Sequence, residues 1–200
     1  MTRWTRLGPE DALRQPWRNG RGMTRQFALW PAHARFEAGD FDWRISAAGV
    51  VEDGPFSTFK GFDRVLVVTE GEGLVLEQAS ARTELRPFEP RAFSGDSETR
   101  GSLVAGPVQD FGVMTRRGVW RAEVAVVRSD EGSNGIELSP REHGFLHVLG
   151  GSIDARLDGA RTPHSVVGGE SLWARPSSRS ASLAWESADA IVIAVRLAPA

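Results

Sequence analysis

The chain has 200 residues, of which 40% are hydrophobic, and it carries 7 Trp and 10 Phe. That is enough apolar material for the core of one large domain or two small ones. A net charge of −2 at pH 7 argues against a general nucleic-acid-binding protein, which usually has a basic face. The absence of cysteine excludes disulfides, Cys-ligated zinc, iron–sulfur clusters and thiol catalysis.

Residues 1–13 carry several charges where a secretion signal would carry an apolar run. The sequence also lacks an uninterrupted apolar stretch of about 18 residues, the length that indicates a transmembrane helix. We therefore expect a cytoplasmic protein that binds neither membranes nor nucleic acid.

Helical periodicity is weak, and most predicted elements are strands. One short helix is predicted over 9–15 and would end at Pro16. The stretch 41–46 (FDWRIS) alternates apolar and polar residues, which predicts a half-buried strand. The apolar run 65–68, the turn EGEG and the run 74–76 predict a hairpin.

A second predicted hairpin repeats this design further along the chain. Aligning Leu66 with Leu146 also aligns Gly71 with Gly151, which is a constant offset of 80 residues. Many short strands at regular spacing are typical of sandwiches and barrels. The sequence therefore predicts an all-β protein with two related β units, near 40–117 and 120–197. We assign the two domains to 1–117 and 118–200.

Arg44 and Ser46 share one face of the strand over 41–46, opposite Trp43. In a sandwich that face would meet solvent, whereas in a ligand-holding barrel it would point inward. An inward arginine needs a carboxylate partner. Asp42, Asp63, Asp110 or a ligand could supply it.

Two other stretches combine glycine with polar and aromatic residues. The stretch 16–25 (PWRNGRGMTR) is either an ordered surface turn or a ligand-binding loop. The nucleotide-binding fingerprint fails there, because no strand precedes it and no helix clearly follows. In the stretch 106–117, Arg116 and Arg117 form either a solvated strand end or an anion clamp.

Three segments together resemble the HutD/Ves family of bicupins: PWRNGRGMTRQFALWP, FDWRISAAGVVEDGPFSTFKGFDRVLVVTEGEGL and GPVQDFGVMTRRG. The resemblance covers about 3–117 well and 118–200 only loosely. It implies two cupin-like β-barrels or sandwiches in one chain, the first carrying the family motifs and the second diverged. It also implies an auxiliary or regulatory association with bacterial histidine utilisation.

The chain departs from this family pattern at three positions. Arg21 breaks a glycine run, Gln26 replaces an acidic residue, and Gly112 replaces an asparagine. If the missing side chains contact ligand, this protein binds something different or binds more weakly.

No metal or other cofactor is expected. The four histidines are His33, His143, His147 and His164, and none forms the H-x-H pair of metal-binding cupins. The i, i+4 pair of His143 and His147 suits a helix, but Pro140 and Gly144 argue against a helix there. On a strand the two would lie roughly 13 Å apart, too far to share one ion.

Catalysis has little support in the sequence. The nucleophile motif G-x-S-x-G is absent, and no histidine lies within the family-like segments. Acid–base chemistry by Asp42, Asp63 or Asp110 stays open. We expect no catalytic residues, and an enzyme is the less favoured interpretation.

The guanidinium group of arginine binds carboxylates bidentately. Pockets that are lined by aromatic side chains and a few polar groups are typical of small-ligand sites. We therefore expect the first unit to bind an anionic metabolite of the urocanate or formylglutamate class. The candidate ligand-binding residues are Asn19, Thr24, Arg25, Trp43, Arg44, Ser46, Phe56, Ser57, Arg64, Phe93, Asp110 and Arg116.

The leading hypothesis is a metabolite-binding protein with an auxiliary or regulatory role in histidine utilisation. The alternatives are a metal-independent enzyme acting on a histidine-degradation intermediate, and a non-catalytic interaction module that forms a homodimer.

Overall fold

The computed structural model describes residues 3–17, 22–79, 81–128 and 134–200. Within these ranges the chain forms nineteen β-strands and one 3-10 helix, Pro9–Asp11, and has no α-helix. The helix predicted over 9–15 is therefore wrong beyond its first turn. Leu13–Pro16 is instead a strand, because it pairs with Met23–Gln26 in a sheet.

The chain divides into two compact units. The N-terminal unit is Ala12–Arg121 with Ala200, and the C-terminal unit is Met1–Asp11 with Ala122–Pro199. This grouping differs from the predicted 1–117 and 118–200 in its first residues, because strand β1 (Arg3–Leu7) pairs with β17 (Ser171–Arg175).

The N-terminal unit consists of two antiparallel sheets. One has the order β2-β3-β4-β11-β6-β9 and the other β5-β10-β7-β8. Their strands are β2 (Leu13–Pro16), β3 (Met23–Trp30), β4 (Trp43–Val50), β5 (Gly54–Phe56), β6 (Phe62–Glu70), β7 (Leu74–Gln78), β8 (Ala81–Leu85), β9 (Arg91–Ser94), β10 (Thr99–Leu103) and β11 (Val108–Arg116).

The two sheets of the N-terminal unit pack face to face. Leu66 and Val68 of β6 form one buried cluster with Leu74, Leu76 and Leu85 of the opposing sheet. Successive side chains of a strand point to opposite faces. The face of the six-stranded sheet that carries Leu66 and Val68 is therefore the inner one, and we call the space it covers the N-terminal interior.

The C-terminal unit has the same two-sheet design, with the orders β1-β17-β14-β19-β12 and β13-β18-β15-β16. Its core is continuous and apolar, and it includes Leu146, Val148, Leu183, Trp185 and Val192. The remaining strands are β12 (Trp120–Arg128), β13 (Asn134–Leu138), β14 (His143–Gly150), β15 (Ser152–Leu157), β16 (His164–Val167), β18 (Ala181–Glu186) and β19 (Ile191–Pro199).

The strand orders of the two units repeat with a shift of eight strands. The series β4-β11-β6-β9 matches β12-β19-β14-β17, and β5-β10-β7-β8 matches β13-β18-β15-β16. Gly71 and Gly151, which share the offset of 80, both adopt positive φ in the turn after β6 and β14. The all-β prediction is confirmed, although no sheet closes into a barrel among the residues described.

Candidate functional site

A polar patch lies in the N-terminal interior on three adjacent strands. Met114 of β11 pairs with Arg44 of β4 on one side and with Arg64 of β6 on the other. Asp110 precedes Met114 by four residues, so it shares that face. Arg64 in turn shares a face with Leu66, which packs in the interior. We call this set the Arg44–Asp110–Arg64 cluster.

Arg44 is 6% exposed and is held by neutral groups. Its Nε donates to Oε1 of Gln26 at 2.9 Å, and its Nη2 donates to Oε1 of Gln15 at 2.8 Å. The guanidinium carbon lies 3.8 Å from the ring centroid of Phe36, within cation–π range. Burial lowers the pKa of Arg44 to about 10, which still leaves it a cation at neutral pH.

Arg64 lies on the other side of β11, among aromatic rings. Its guanidinium carbon is 4.8 Å from the ring centroid of Phe93 and 5.5 Å from those of Phe56 and Phe59. Nη1 donates to the carbonyl of Ser57 at 3.3 Å, whereas Nε is buried without a hydrogen-bond partner. Burial lowers the pKa of Arg64 to about 10.

Asp110 is 5% exposed and accepts a hydrogen bond from the backbone N–H of Ala48. Burial raises its pKa to about 7, although the positive charges of Arg64 and Arg44 act in the opposite direction. Within the described ranges no ion pair joins Asp110 to Arg44 or Arg64. Arg44 is thus a buried cation and Arg64 a half-buried one, and neither has a carboxylate in direct contact, although the exposed Glu37 acts on Arg44. Such an arrangement is costly without a compensating anion.

Other predicted site residues lie close to the cluster. Phe56, Phe93 and the backbone of Ser57 contact Arg64. Thr24 and Ser46 lie on the inner face of β3 and β4, where Thr24 Oγ1 accepts a hydrogen bond from Trp17 at 2.8 Å.

Two predicted residues point away from the cluster. Arg25 pairs with Ala47, and Trp43 precedes Arg44, so both lie on the opposite face of the sheet. Trp43 is fully buried there and stacks on Trp30 with 6.4 Å between ring centroids.

Arg116 and Asn19 complete the predicted set. Arg116 donates to the carbonyls of Gly39 and Phe41 at 2.9 and 2.6 Å, so it fixes the loop before β4. Its guanidinium also lies 3.5 Å from Asp42. Asn19 lies outside the described residues, as does Arg21.

Sequence reasoning missed four residues that contact the two arginines, namely Gln15, Gln26, Phe36 and Phe59. In the sequence, Gln26 stands out only as a departure from the family pattern. Gln15 sat in a predicted helix, and its pairing with Thr24 was hidden. Phe36 and Phe59 lie between strands, where no periodic pattern indicates a direction.

Gly112 is the other described departure, and it faces the N-terminal interior. It pairs with Ser46 on one side and Leu66 on the other, between Asp110 and Met114 along β11. A Cβ at this position would lie 3.2 Å from Cδ2 of Leu66. Leu66 therefore occupies the position into which a side chain at 112 would extend, and a larger residue there would require Leu66 to shift.

Replacing Gln26 by glutamate is expected to weaken carboxylate binding roughly tenfold, about 1.4 kcal/mol. The new carboxylate would pair with Arg44 in place of a neutral amide and neutralise part of the cluster's charge. Titration calorimetry with a carboxylate ligand would check this, with Gln109→Glu on the opposite face of the same sheet as the matched control. Unchanged affinity in Gln26→Glu would show that Arg44 does not contact the anion.

No group of three or more His, Asp or Glu side chains is arranged to hold a metal ion in the part of the chain described. His143 and His147 lie on strand β14 of the C-terminal unit and are buried. Trp173 Nε1 donates to Nδ1 of His143 at 3.2 Å, and Nδ1 of His147 lies 2.8 Å from the Ser171 hydroxyl. The described ranges also contain no helix that is long and apolar enough to cross a membrane.

The C-terminal unit has a groove of about 400 Å³ between β12, β13, β18 and β19. Its charged lining includes Arg196, which is joined to Glu123 by hydrogen bonds of 2.7 to 3.1 Å. Because this cation already has its carboxylate, the groove has less need of an anionic ligand than the N-terminal interior.

The amino-acid sequence matches a known protein family and a curated relative. The HutD family model matches residues 9–193. Protein Ves from Citrobacter koseri is 39% identical over 112 residues, which are 55% of this chain and 56% of that protein. The alignment therefore spans just over half the length of this curated relative.

Solved structures share the fold over nearly the whole chain. A conserved protein of unknown function from Pseudomonas aeruginosa PAO1 superposes with a TM-score of 0.86 at 29% identity, covering 99% of this chain and 100% of that one. HutD from Pseudomonas fluorescens SBW25 superposes with a TM-score of 0.81 at 24% identity, covering 99% of this chain and 100% of that one. A cupin 2 conserved barrel domain protein from Leptotrichia buccalis superposes with a TM-score of 0.58 at 9% identity, covering 96% of this chain and 95% of that one. The fold is therefore cupin-like.

Proposed function

Because the chain belongs to the HutD family, we propose that it binds a small anionic metabolite in the N-terminal interior and has an auxiliary or regulatory role in histidine utilisation. The main supporting observation is the Arg44–Asp110–Arg64 cluster, in which the buried guanidinium group of Arg44 and the half-buried one of Arg64 have no carboxylate in direct contact within the described residues. A ligand carboxylate placed between them would supply the missing charge.

The two arginines are positioned before any ligand arrives. Arg44 is fixed by Gln15, Gln26 and the ring of Phe36. The rings of Phe36 and Phe59 lie 5.6 Å apart, and Phe59 also packs against Arg64. Groups held in place by packing lose little conformational freedom on binding, which favours affinity. The buried Nε of Arg64 offers an N–H donor that no protein group uses.

A thermal-shift titration with histidine, urocanate, formiminoglutamate, formylglutamate and glutamate, each with and without divalent metal, tests this function. A ligand at one hundred times its Kd adds about 2.7 kcal/mol of stability, which corresponds to a rise in Tm of roughly 5 to 10 °C for a chain of this size. We expect such a rise with at least one carboxylate and without metal.

Arg44→Met is the matching variant, and we expect it to lose the ligand-induced rise. Arg25→Met removes the same charge from the opposite face of the sheet and should keep it. A rise retained by Arg44→Met would exclude this cluster as the site, and no rise with any carboxylate would contradict anion binding.

The second candidate function is a metal-independent enzyme, and Asp110 is the observation that favours it. A carboxyl group whose pKa lies near 7 can both take up and release a proton at neutral pH. Chromatography of the same ligand mixtures after incubation would detect a product. Turnover that disappears in Asp110→Asn would support the enzyme, and intact ligand throughout would support binding alone.

A further inference from the structure

The charges of the Arg44–Asp110–Arg64 cluster restrict which anions it can take. We propose that the cluster takes a monocarboxylate as it stands, and takes a dicarboxylate only together with one proton, which is bound by Asp110. This inference rests on the proposed function, because it specifies the charge of the ligand at the same site.

Charge balance decides which anions fit the cluster. Arg44, the half-buried Arg64 and an ionised Asp110 carry one net positive charge, which a single carboxylate cancels, because the exposed Glu37 is screened by solvent. A second carboxylate would leave an excess negative charge, and a buried uncompensated charge is strongly unfavourable. Protonation of Asp110 removes one negative charge and restores the balance.

The geometry makes Asp110 the proton acceptor. It lies on the strand between the two arginine-bearing strands, its only described hydrogen bond comes from the Ala48 amide, and no ion pair to either guanidinium holds it ionised. Its pKa is already raised to about 7 by burial, so a nearby ligand carboxylate needs to raise it only slightly further to protonate it at neutral pH.

The described groups facing Asp110 leave few other proton acceptors. Arg44 comes from β4 and Arg64 from β6. Glu37 acts on Arg44, but it is exposed, and its Oε1 accepts from Gln15 at 3.1 Å. The opposing sheet contributes the buried Leu74, Leu76 and Leu85, and its buried Thr99 has no group that titrates in this range.

Titration calorimetry at pH 8, in two buffers with different ionisation enthalpies, measures the protons taken up on binding. N-formylglutamate and its side-chain amide, N-formylglutamine, form a matched pair with two carboxylates and one. We expect close to one proton taken up with the first and none with the second. The Kd of N-formylglutamate should also rise about tenfold per pH unit between pH 8 and 9, whereas that of N-formylglutamine should stay nearly constant.

Asp110→Asn provides the matched variant, because its amide oxygen can still accept from Ala48. It should bind N-formylglutamate at pH 8 without proton uptake, while Asp42→Asn should behave like the parent protein. Equal proton uptake by both ligands, or uptake that persists in Asp110→Asn, would overturn the inference. So would failure of N-formylglutamate to bind at pH 6 when N-formylglutamine binds.

If neither compound binds at any pH, the proposed anion binding itself fails, and the proton coupling fails with it. If Asp110→Asn does not fold, the comparison of the two ligands on the parent protein still decides the matter.

Discussion

Replacing Arg64 by methionine is expected to weaken carboxylate binding about 30-fold or more and yet leave the unliganded protein at least as stable as the parent. Truncating a buried charged partner costs roughly 2 kcal/mol or more of binding free energy, about 30-fold in Kd. In the absence of ligand, the same guanidinium is a desolvated cation with an unused Nε–H. Methionine can fill the space among Phe56, Phe59 and Phe93 without that cost.

Urea unfolding and titration calorimetry on the same preparations would measure the two effects separately. Arg25→Met, on the opposite face of the sheet, is the control for the loss of one positive charge and should change neither quantity greatly. A large loss of stability in Arg64→Met, with binding retained, would assign Arg64 a structural role and remove it from the site.

Asp110→Asn is expected to remove the loss of stability that Asp110 causes between pH 5 and 8. His143, whose pKa burial lowers to about 3, contributes a change of opposite sign, but this change is the same in both proteins. The pKa of Asp110 rises from its ordinary 3.8 to about 7 in the folded protein because of burial. The native state therefore binds the proton more tightly than the unfolded chain does. This group destabilises the fold progressively as pH rises from about 4 to about 7, by a few kcal/mol in total.

The measurement is urea unfolding of both proteins at pH 5, 6, 7 and 8. The parent should lose stability relative to Asp110→Asn as the pH increases, with most of the change complete by pH 8. Asp96→Asn is the control, since hydrogen bonding to Arg117 lowers the pKa of this exposed carboxyl, and its contribution changes only at more acidic pH. Parallel stability profiles for parent and Asp110→Asn would show that Asp110 stays ionised when buried.

Sequence patterns predicted the strands better than their pairing. The alternation in FDWRIS placed Arg44 opposite Trp43, and the structure has them on opposite faces of β4. Which of the two faces is turned towards the core depends on packing against a second sheet. A local sequence pattern does not contain that information. The same limit applies to Asp110 and Arg64. They lie on the neighbouring strands β11 and β6, and the register between these strands is a long-range property that the local sequence does not show.

The error over 9–15 has a similar cause. A short segment followed by proline looks like a helix locally, but Leu13 and Gln15 pair with β3 across the chain. Tertiary pairing overrode weak local propensity there. Phe36 and Phe59 were missed because they lie outside the regular strands, where side-chain direction has no period.

The repeat of strand order by eight gives each inner position of the N-terminal unit a counterpart in the C-terminal one. Arg64 corresponds to Gly144 by the offset of 80, and Asp110, which pairs with Val68, corresponds to Val192, which pairs with Val148. At these two positions one copy has charges where the other is apolar. Substitutions at the charged positions can therefore change the charge of the N-terminal interior while the matching positions of the other copy are constrained by packing alone.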